Sequence, residues 1–194
     1  VMACYNSERY LRPAIDSVLG QTYRNLELVV VDDCSSDGTV SIVRDYAARD
    51  ERVRLIQRTE RGGRPAVTKN TALQHLNGKY VCFLDHDDYY GPDKISTQVA
   101  LLEAHPDCVA AFHDVDLVNA DGGLIERYLG GFPADARNYL SALAPDVYQI
   151  LNDGSDGRAA VLAVTGHLEL LDFINVNGLL TAFGGGALRV GFAM

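Results

Sequence analysis

The chain has 194 residues and a net charge of -9, with a pI near 4.9. Its 47% apolar and 22% charged residues are ordinary for a globular protein, and the length suffices for one domain with a real core. The acidic balance argues against nonspecific nucleic-acid binding, and the four scattered cysteines (Cys4, Cys34, Cys82, Cys108) form neither a zinc pattern nor a disulfide scaffold. A reducing, cytoplasmic setting is the simplest expectation. The opening Val1-Met2-Ala3-Cys4 has no signal-peptide features, and the apolar tail Gly178 to Met194 is short, glycine-rich and interrupted by Arg189.

Val1 to Cys4 reads as the end of a strand whose start is missing, and the chain stops without a closing element, so a fragment of a longer protein is expected. Asn6 or Ser7 can cap a helix, whose start falls between Glu8 and Pro13. Its apolar positions are Ala14, Ile15, Val18 and Leu19, and Gly20 ends it. Leu26 to Val31 is a buried strand ending on Asp32-Asp33, followed by a turn at Cys34 to Gly38. A helix over Thr39 to Arg49 and a strand over Val53 to Ile56 come next. Gln57 to Pro65 is a polar loop carrying Arg58, Arg61, Arg64 and Gly62-Gly63. It serves equally a phosphate-holding loop or a solvated one. Ala66 to Leu76 is a helix with Val67, Leu73 and Leu76 inward.

Tyr80 to Leu84 is a strand, with Cys82 in the core, that stops on Asp85, Asp87 and Asp88. Like charges this close repel, so the chain must either hold a cation there or solvate the cluster as an acidic turn. Hard oxygen ligands at a strand end suit Mg²⁺ or Mn²⁺, with phosphate completing the shell. The stretch alone supports both readings equally. A helix from Pro92 to about His105, a strand over Val109 to Phe112 and a hairpin about Asp121-Gly122 follow. Beyond these, Asp135 to Tyr148 is a candidate helix, Asn152 to Gly157 a loop, and Ala159 to Asp172 fits helix or strand. His113, Asp114 and Asp116 resemble a metal cluster, but a loop near the site is the preferred reading.

Strand and helix alternate four times before residue 113, which predicts an α/β fold with a mostly parallel central sheet and helices on both faces. Ligands in such sheets bind at the carboxyl ends of strands near the switch point, where both acidic groups are expected. No G-x-G-x-x-G or G-x-x-x-x-G-K-[ST] loop is present: Cys4 to Glu8 contains no glycine. If this edge holds a diphosphate, a metal at Asp85-Asp87 would have to neutralise it in place of glycine amides.

Several spaced segments carry a resemblance: Tyr5 to Leu11, Ile15 to Leu19, Gln21-Thr22-Tyr23, Glu27 to Thr39, and Phe83 to Asp88. In this order they resemble the family-2 glycosyltransferases, which are inverting, nucleotide-sugar-dependent enzymes of the GT-A fold. The resemblance covers about residues 1 to 125, taken as the donor-binding core, and thins over 126 to 194, taken as an incomplete acceptor side. It implies that Ala3 and Tyr5 line the nucleobase pocket and that Asp33 accepts from the base, as uracil N3-H would supply. Asp85 would bond the ribose, and Asp87 would bind the Mn²⁺ or Mg²⁺ that bridges the diphosphate. Asp88 would stand behind the metal or on the floor of the sugar site. Lys69 stands where the family often has arginine, keeping a charge near the phosphates without the bidentate fork. The implied reaction moves a sugar from a nucleoside diphosphate, UDP favoured, to a glycan or lipid-linked acceptor at the cytoplasmic face of a membrane. The family's general base has no counterpart here: Glu169 and Asp172 lack its context, and it is expected beyond Met194.

Other roles stay open. Asp32 either joins the ligand shell or bonds the adjacent loop; His86 is expected to be a spacer; Tyr89-Tyr90 fit sugar stacking or packing beneath the next helix. The competing functions are a nucleotide-sugar-binding module without turnover, and a sugar-1-phosphate nucleotidylyltransferase, whose glycine-rich first loop is missing. An aspartate phosphatase would need D-x-D-x-[TV], which Asp85 to Tyr89 does not match.

Overall fold

The computed structural model describes residues 1–106, 108–113, 116–119, 123–127, 148–151, 159–164 and 186–189. Two compact units emerge, Val1–Thr97 and Gln98–Arg189.

The first unit is built on β1 (Met2–Cys4), β2 (Leu28–Asp32), β3 (Val53–Gln57), β4 (Tyr80–Cys82) and β5 (Leu84–Asp85). β1 lies between β2 and β5, with β3 outside β2, and every pair is parallel. In register, Ala3 stands beside Val31 on one side and Asp85 on the other, and Cys4 faces Asp32. The predicted strand over residues 80 to 84 is two short strands, with the break at Phe83.

Helices α1 (Leu11–Leu19), α2 (Thr39–Ala47) and α3 (Pro65–Leu73) connect them, and α4 (Lys94–Ala104) continues into the second unit. Right-handed crossovers that step from β1 to β2 to β3 put α1 and α2 on one face. The connection from β3 back past β1 to β5 reverses direction, so α3 falls on the other. Side chains agree: Val29 and Val31 of the all-buried β2 pack with Ala72 of α3, while successive strand residues alternate faces. α1 buries Leu11, Ala14, Ile15 and Val18, the i, i+3, i+4, i+7 stripe of an amphipathic helix.

Three expectations need correcting. Neither Asn6 nor Ser7 caps α1, whose first residue is preceded by Tyr10 without a side-chain cap. Ser7 Oγ instead accepts from Tyr5 N, and Asn6 Oδ1 accepts from Ser36 N, tying the first loop to the turn after β2. Val67 is exposed; the buried residues of α3 are Thr68, Lys69 and Ala72. The apolar pattern misled because this helix buries a charged side chain. Cys82 is half-buried rather than a core residue.

In the second unit, β6 (Cys108–His113) is flanked by β10 (Ala159–Val164) and β11 (Gly186–Arg189), with β9 (Tyr148–Leu151) on β10; all these pairs are antiparallel. Gln98 of α4 is buried and donates to Ala111 O on β6 at 3.1 Å. The predicted hairpin is present as β7 (Asp116–Val118) with β8 (Leu124–Arg127), while its turn at Asp121-Gly122 lies outside the described residues. Ala159 to Val164 is strand. The candidate helix from Asp135, the loop from Asn152, and Glu169 and Asp172 also lie outside them.

Candidate functional site

The strand order of the first unit reverses between β1 and β5, and the carboxyl ends of these strands are Cys4 and Asp85. Asp32 ends β2, next to Cys4. A parallel sheet opens a crevice at such a point, because the helices leaving the two strands go to opposite faces. Ala3, Tyr5, Asp33 and Asp85 are therefore gathered at one edge, as the sequence indicated.

The Asp33 carboxylate is buried and heavily used. Its Oδ1 accepts from Gly62 N at 2.7 Å and stands 3.0 Å from Arg58 Nε; its Oδ2 accepts from Gly63 N at 3.1 Å. Burial alone would raise its pKa, but the two amides, the Arg58 charge and the Thr68 hydroxyl outweigh that and hold it below the ordinary value. Gly62 is required here by close approach: a Cβ would come 2.9 Å from Val67 Cγ1 and 3.2 Å from Asp33 Oδ1. Gly63 is required by backbone conformation, with φ +68. The basic loop is thus neither free nor simply solvated. Arg58 also donates to Thr71 Oγ1, and the Arg61 guanidinium sits 3.8 Å from the centre of the half-exposed Tyr5 ring. Sequence reasoning noted the arginines but missed that Asp33 organises them; a Gly-Gly pair following a polar strand end was the available signal.

Asp32 bonds the adjacent loop, accepting from Ser35 N at 3.1 Å through Oδ2, while its buried Oδ1 has no partner among the described residues. Cys34 follows at φ +66.

Across the switch point, Lys69 reaches up from α3. Its side chain is only 3% exposed, and Nζ lies 2.8 Å from Asp85 Oδ1, whose side chain is 44% exposed. The Phe83 ring lies 5.9 Å from the same ammonium. Asp87 is 58% exposed, and among the described residues its ion-pair contact is His86 Nδ1, at 3.7 Å. Asp88 N donates to Asp85 O at 3.1 Å, which closes the turn. Partial desolvation, reinforced by the charges of Asp87 and Asp85, raises the Asp88 carboxyl above its ordinary value. Among the described residues no three His, Cys, Asp or Glu side chains converge to cage a metal. An ion held here would take other ligands from a bound molecule or water, as expected of Mg²⁺ or Mn²⁺ beside a phosphate.

Of the two tyrosines after the turn, Tyr89 is exposed and Tyr90 is buried. The side chains of His113 and Asp116 lie outside the described residues. Sequence reasoning also passed over Ser17 and Gln21, although both stand in segments that carried the resemblance. Their hydrogen bonds go to backbone groups about 70 residues away, which no local pattern reveals.

A parallel sheet wrapped by helices, with two acidic turns at its carboxyl edge, defines an α/β fold of the GT-A type. The chain belongs to the family described as Glycosyl transferase family 2, which it matches over residues 1–162. It is 35% identical over 125 residues to TuaG of Bacillus subtilis (strain 168), named for teichuronic acid biosynthesis as a glycosyltransferase; the match takes in 64% of this chain and 49% of that one. It is 38% identical over 102 residues to WfgD of Escherichia coli, a UDP-Glc:alpha-D-GlcNAc-diphosphoundecaprenol beta-1,3-glucosyltransferase, covering 53% of this chain and 39% of that protein. Among solved structures, the mannosyltransferase PcManGT from Pyrobaculum calidifontis, in complex with GDP-Man and Mn²⁺, superposes with a TM-score of 0.54 at 30% identity. That likeness covers 84% of this chain and 43% of the other. The chain therefore spans at most about half the length of these three proteins.

Proposed function

We propose that this chain carries the donor-binding part of an inverting, metal-assisted glycosyltransferase that moves a sugar from a nucleoside diphosphate to a glycan or lipid-linked acceptor. The observation that carries the reading is the charge arrangement at the switch point. Asp85 is paired with a buried cation, whereas among the described residues Asp87 is exposed with no cation closer than 3.7 Å, and Asp88 is held above its ordinary pKa. Carboxylate oxygens short of positive charge fit a hard divalent ion. The UDP-Glc in the name of WfgD and the GDP-Man and Mn²⁺ bound to PcManGT support the same chemistry for this edge, with a UDP-sugar favoured here.

In this reading Ala3 and Tyr5 form the wall of the nucleobase pocket, and Asp33 offers its remaining lone pair to the base. Both oxygens already accept from the loop, which fixes the carboxylate in place. Lys69 holds Asp85 towards the ribose and keeps a positive charge beside the phosphates. Asp87 holds Mn²⁺ or Mg²⁺, and Asp88 stands behind it. When bound, the ion offsets the charge that grows on the leaving diphosphate. Preorganised groups of this kind act by matching that charge more strongly in the transition state than in the ground state.

Calorimetry with UDP, GDP and dTDP, with and without Mn²⁺, tests the proposal. Metal-dependent binding with UDP strongest is expected, and Asp87→Asn should abolish the metal dependence. An Asp87→Asn protein that binds UDP with Mn²⁺ as the parent does would remove Asp87 from the metal role.

A further inference from the structure

The acidic turn has to hold three carboxylates within four residues against their own repulsion, and the structure shows what restrains it. Tyr90, the second residue past the cluster, is buried, and its hydroxyl donates 2.7 Å back to Phe83 O. Phe83 is the residue at the break between β4 and β5, just before the turn begins. One side chain therefore joins the two ends of the segment Leu84 to Tyr89. The Lys94 ammonium lies 3.9 Å from the centre of the Tyr90 ring and fixes its face.

The far end of the segment is bolted to α1. Ser17 Oγ donates to Ala14 O at 2.7 Å, which commits its single hydrogen and leaves a lone pair for Tyr90 N at 3.1 Å. Gln21 is fully buried, and its amide can face only one way. Its Oε1 accepts from Ile95 N at 2.9 Å, while its Nε2 donates to Gly91 O at 2.6 Å and to Ser17 O at 3.0 Å. Thr22 N adds a bond to Pro92 O at 3.0 Å. Inside the turn, Asp88 N donates to Asp85 O at 3.1 Å, and Lys69 pairs with the Asp85 carboxylate at 2.8 Å.

We propose that Tyr90, backed by Ser17 and Gln21, is a positioning residue for the acidic turn, tying its two ends together so that Asp87 is held in place for an ion with Asp85 and Asp88 beside it. This rests on the metal reading given above. With the hydroxyl removed, the strut to Phe83 is lost and repulsion among the aspartates opens the turn. A turn that must first be closed again holds an ion less tightly.

The test compares Tyr90→Phe with the parent and with Tyr46→Phe. The second variant deletes an equivalent hydroxyl, one that donates to Asp16 Oδ1 at 2.7 Å between α1 and α2, away from the turn. Amide hydrogen exchange of the metal-free proteins should be faster across residues 84 to 89 in Tyr90→Phe only. Mn²⁺ titration in the presence of UDP, read by electron paramagnetic resonance, should give a dissociation constant about tenfold weaker in Tyr90→Phe, the equivalent of one lost hydrogen bond. UDP binding in the presence of EDTA should not change. The proposal is overturned if Tyr90→Phe matches the parent in exchange across 84 to 89, or if Tyr46→Phe shows the same changes. If the parent binds no Mn²⁺ with UDP, the metal reading fails, and the exchange measurement alone then decides whether Tyr90 shapes the turn.

Discussion

The ion pair between Lys69 and Asp85 predicts an asymmetry that can be measured. Its two charges sit in different environments: the Lys69 side chain is 3% exposed, while the Asp85 side chain is 44% exposed. Removing one partner of a buried pair costs about 3–5 kcal/mol when the other is stranded away from solvent. Asp85→Ala removes the carboxylate 2.8 Å from the buried ammonium, so about 3 kcal/mol is expected. Lys69→Met leaves a carboxylate that water can reach and fills most of the lost volume, so the cost should be about 1 kcal/mol. The double variant strands neither charge and should lie near the Lys69→Met value. That gives a coupling of about 2–3 kcal/mol in a double-mutant cycle. Urea unfolding of the four proteins, followed by far-ultraviolet circular dichroism, supplies the numbers. Equal costs for the two single variants, or strictly additive costs, would refute the argument that Lys69 is the desolvated partner.

Two further outcomes concern Asp33 and its loop. Its carboxyl is held below the ordinary carboxylate range, so its contribution to stability is complete above about pH 4 and is lost as the pH falls through the lowered native pKa. Thermal midpoints from pH 7 down to pH 2.5 should fall more steeply for the parent than for Asp33→Asn; parallel curves would show that the carboxylate is not linked to folding. Gly62→Ala should cost about 1–3 kcal/mol, because its Cβ presses on Val67 and on the anchored Asp33 oxygen. Gly63→Ala meets open space and carries only the left-handed backbone cost of about 1–2 kcal/mol. Urea midpoints that leave either alanine variant unchanged would contradict the corresponding constraint.

Much of the first unit could be read from the sequence because its signals are local. The β-branched run before Asp32, the α1 stripe and the alternation of strand with helix each follow from a few neighbouring residues, and together they imply the sheet and its ligand-binding edge. What escaped is non-local. Val67 looked inward because it is apolar, yet α3 turns Lys69 to the interior, where a carboxylate from another strand compensates it. The break at Phe83 was hidden inside a continuous apolar run, since it follows from the chain leaving one strand for the next rather than from residue type. Ser17, Gln21 and Tyr90 are polar or amphipathic residues whose meaning lies in backbone partners distant in sequence or across a turn, and hydropathy says nothing about these.

The two acidic turns look alike in sequence, and their surroundings separate them. Asp33 has two amides and a guanidinium on its oxygens, and Asp32 is buried, with one oxygen bonded to Ser35 N. An ion placed at Asp33 would have to displace donors already in place. At Asp85 to Asp88, three carboxylates share one lysine among the described residues, two of them are exposed, and one is held above its ordinary pKa by desolvation and then by the charges of the other two. Among the described residues, positive charge is short at this turn. The same residue type thus shapes a loop on one side of β1 and leaves a charge deficit on the other, which is why the proposed ion is assigned to the second turn.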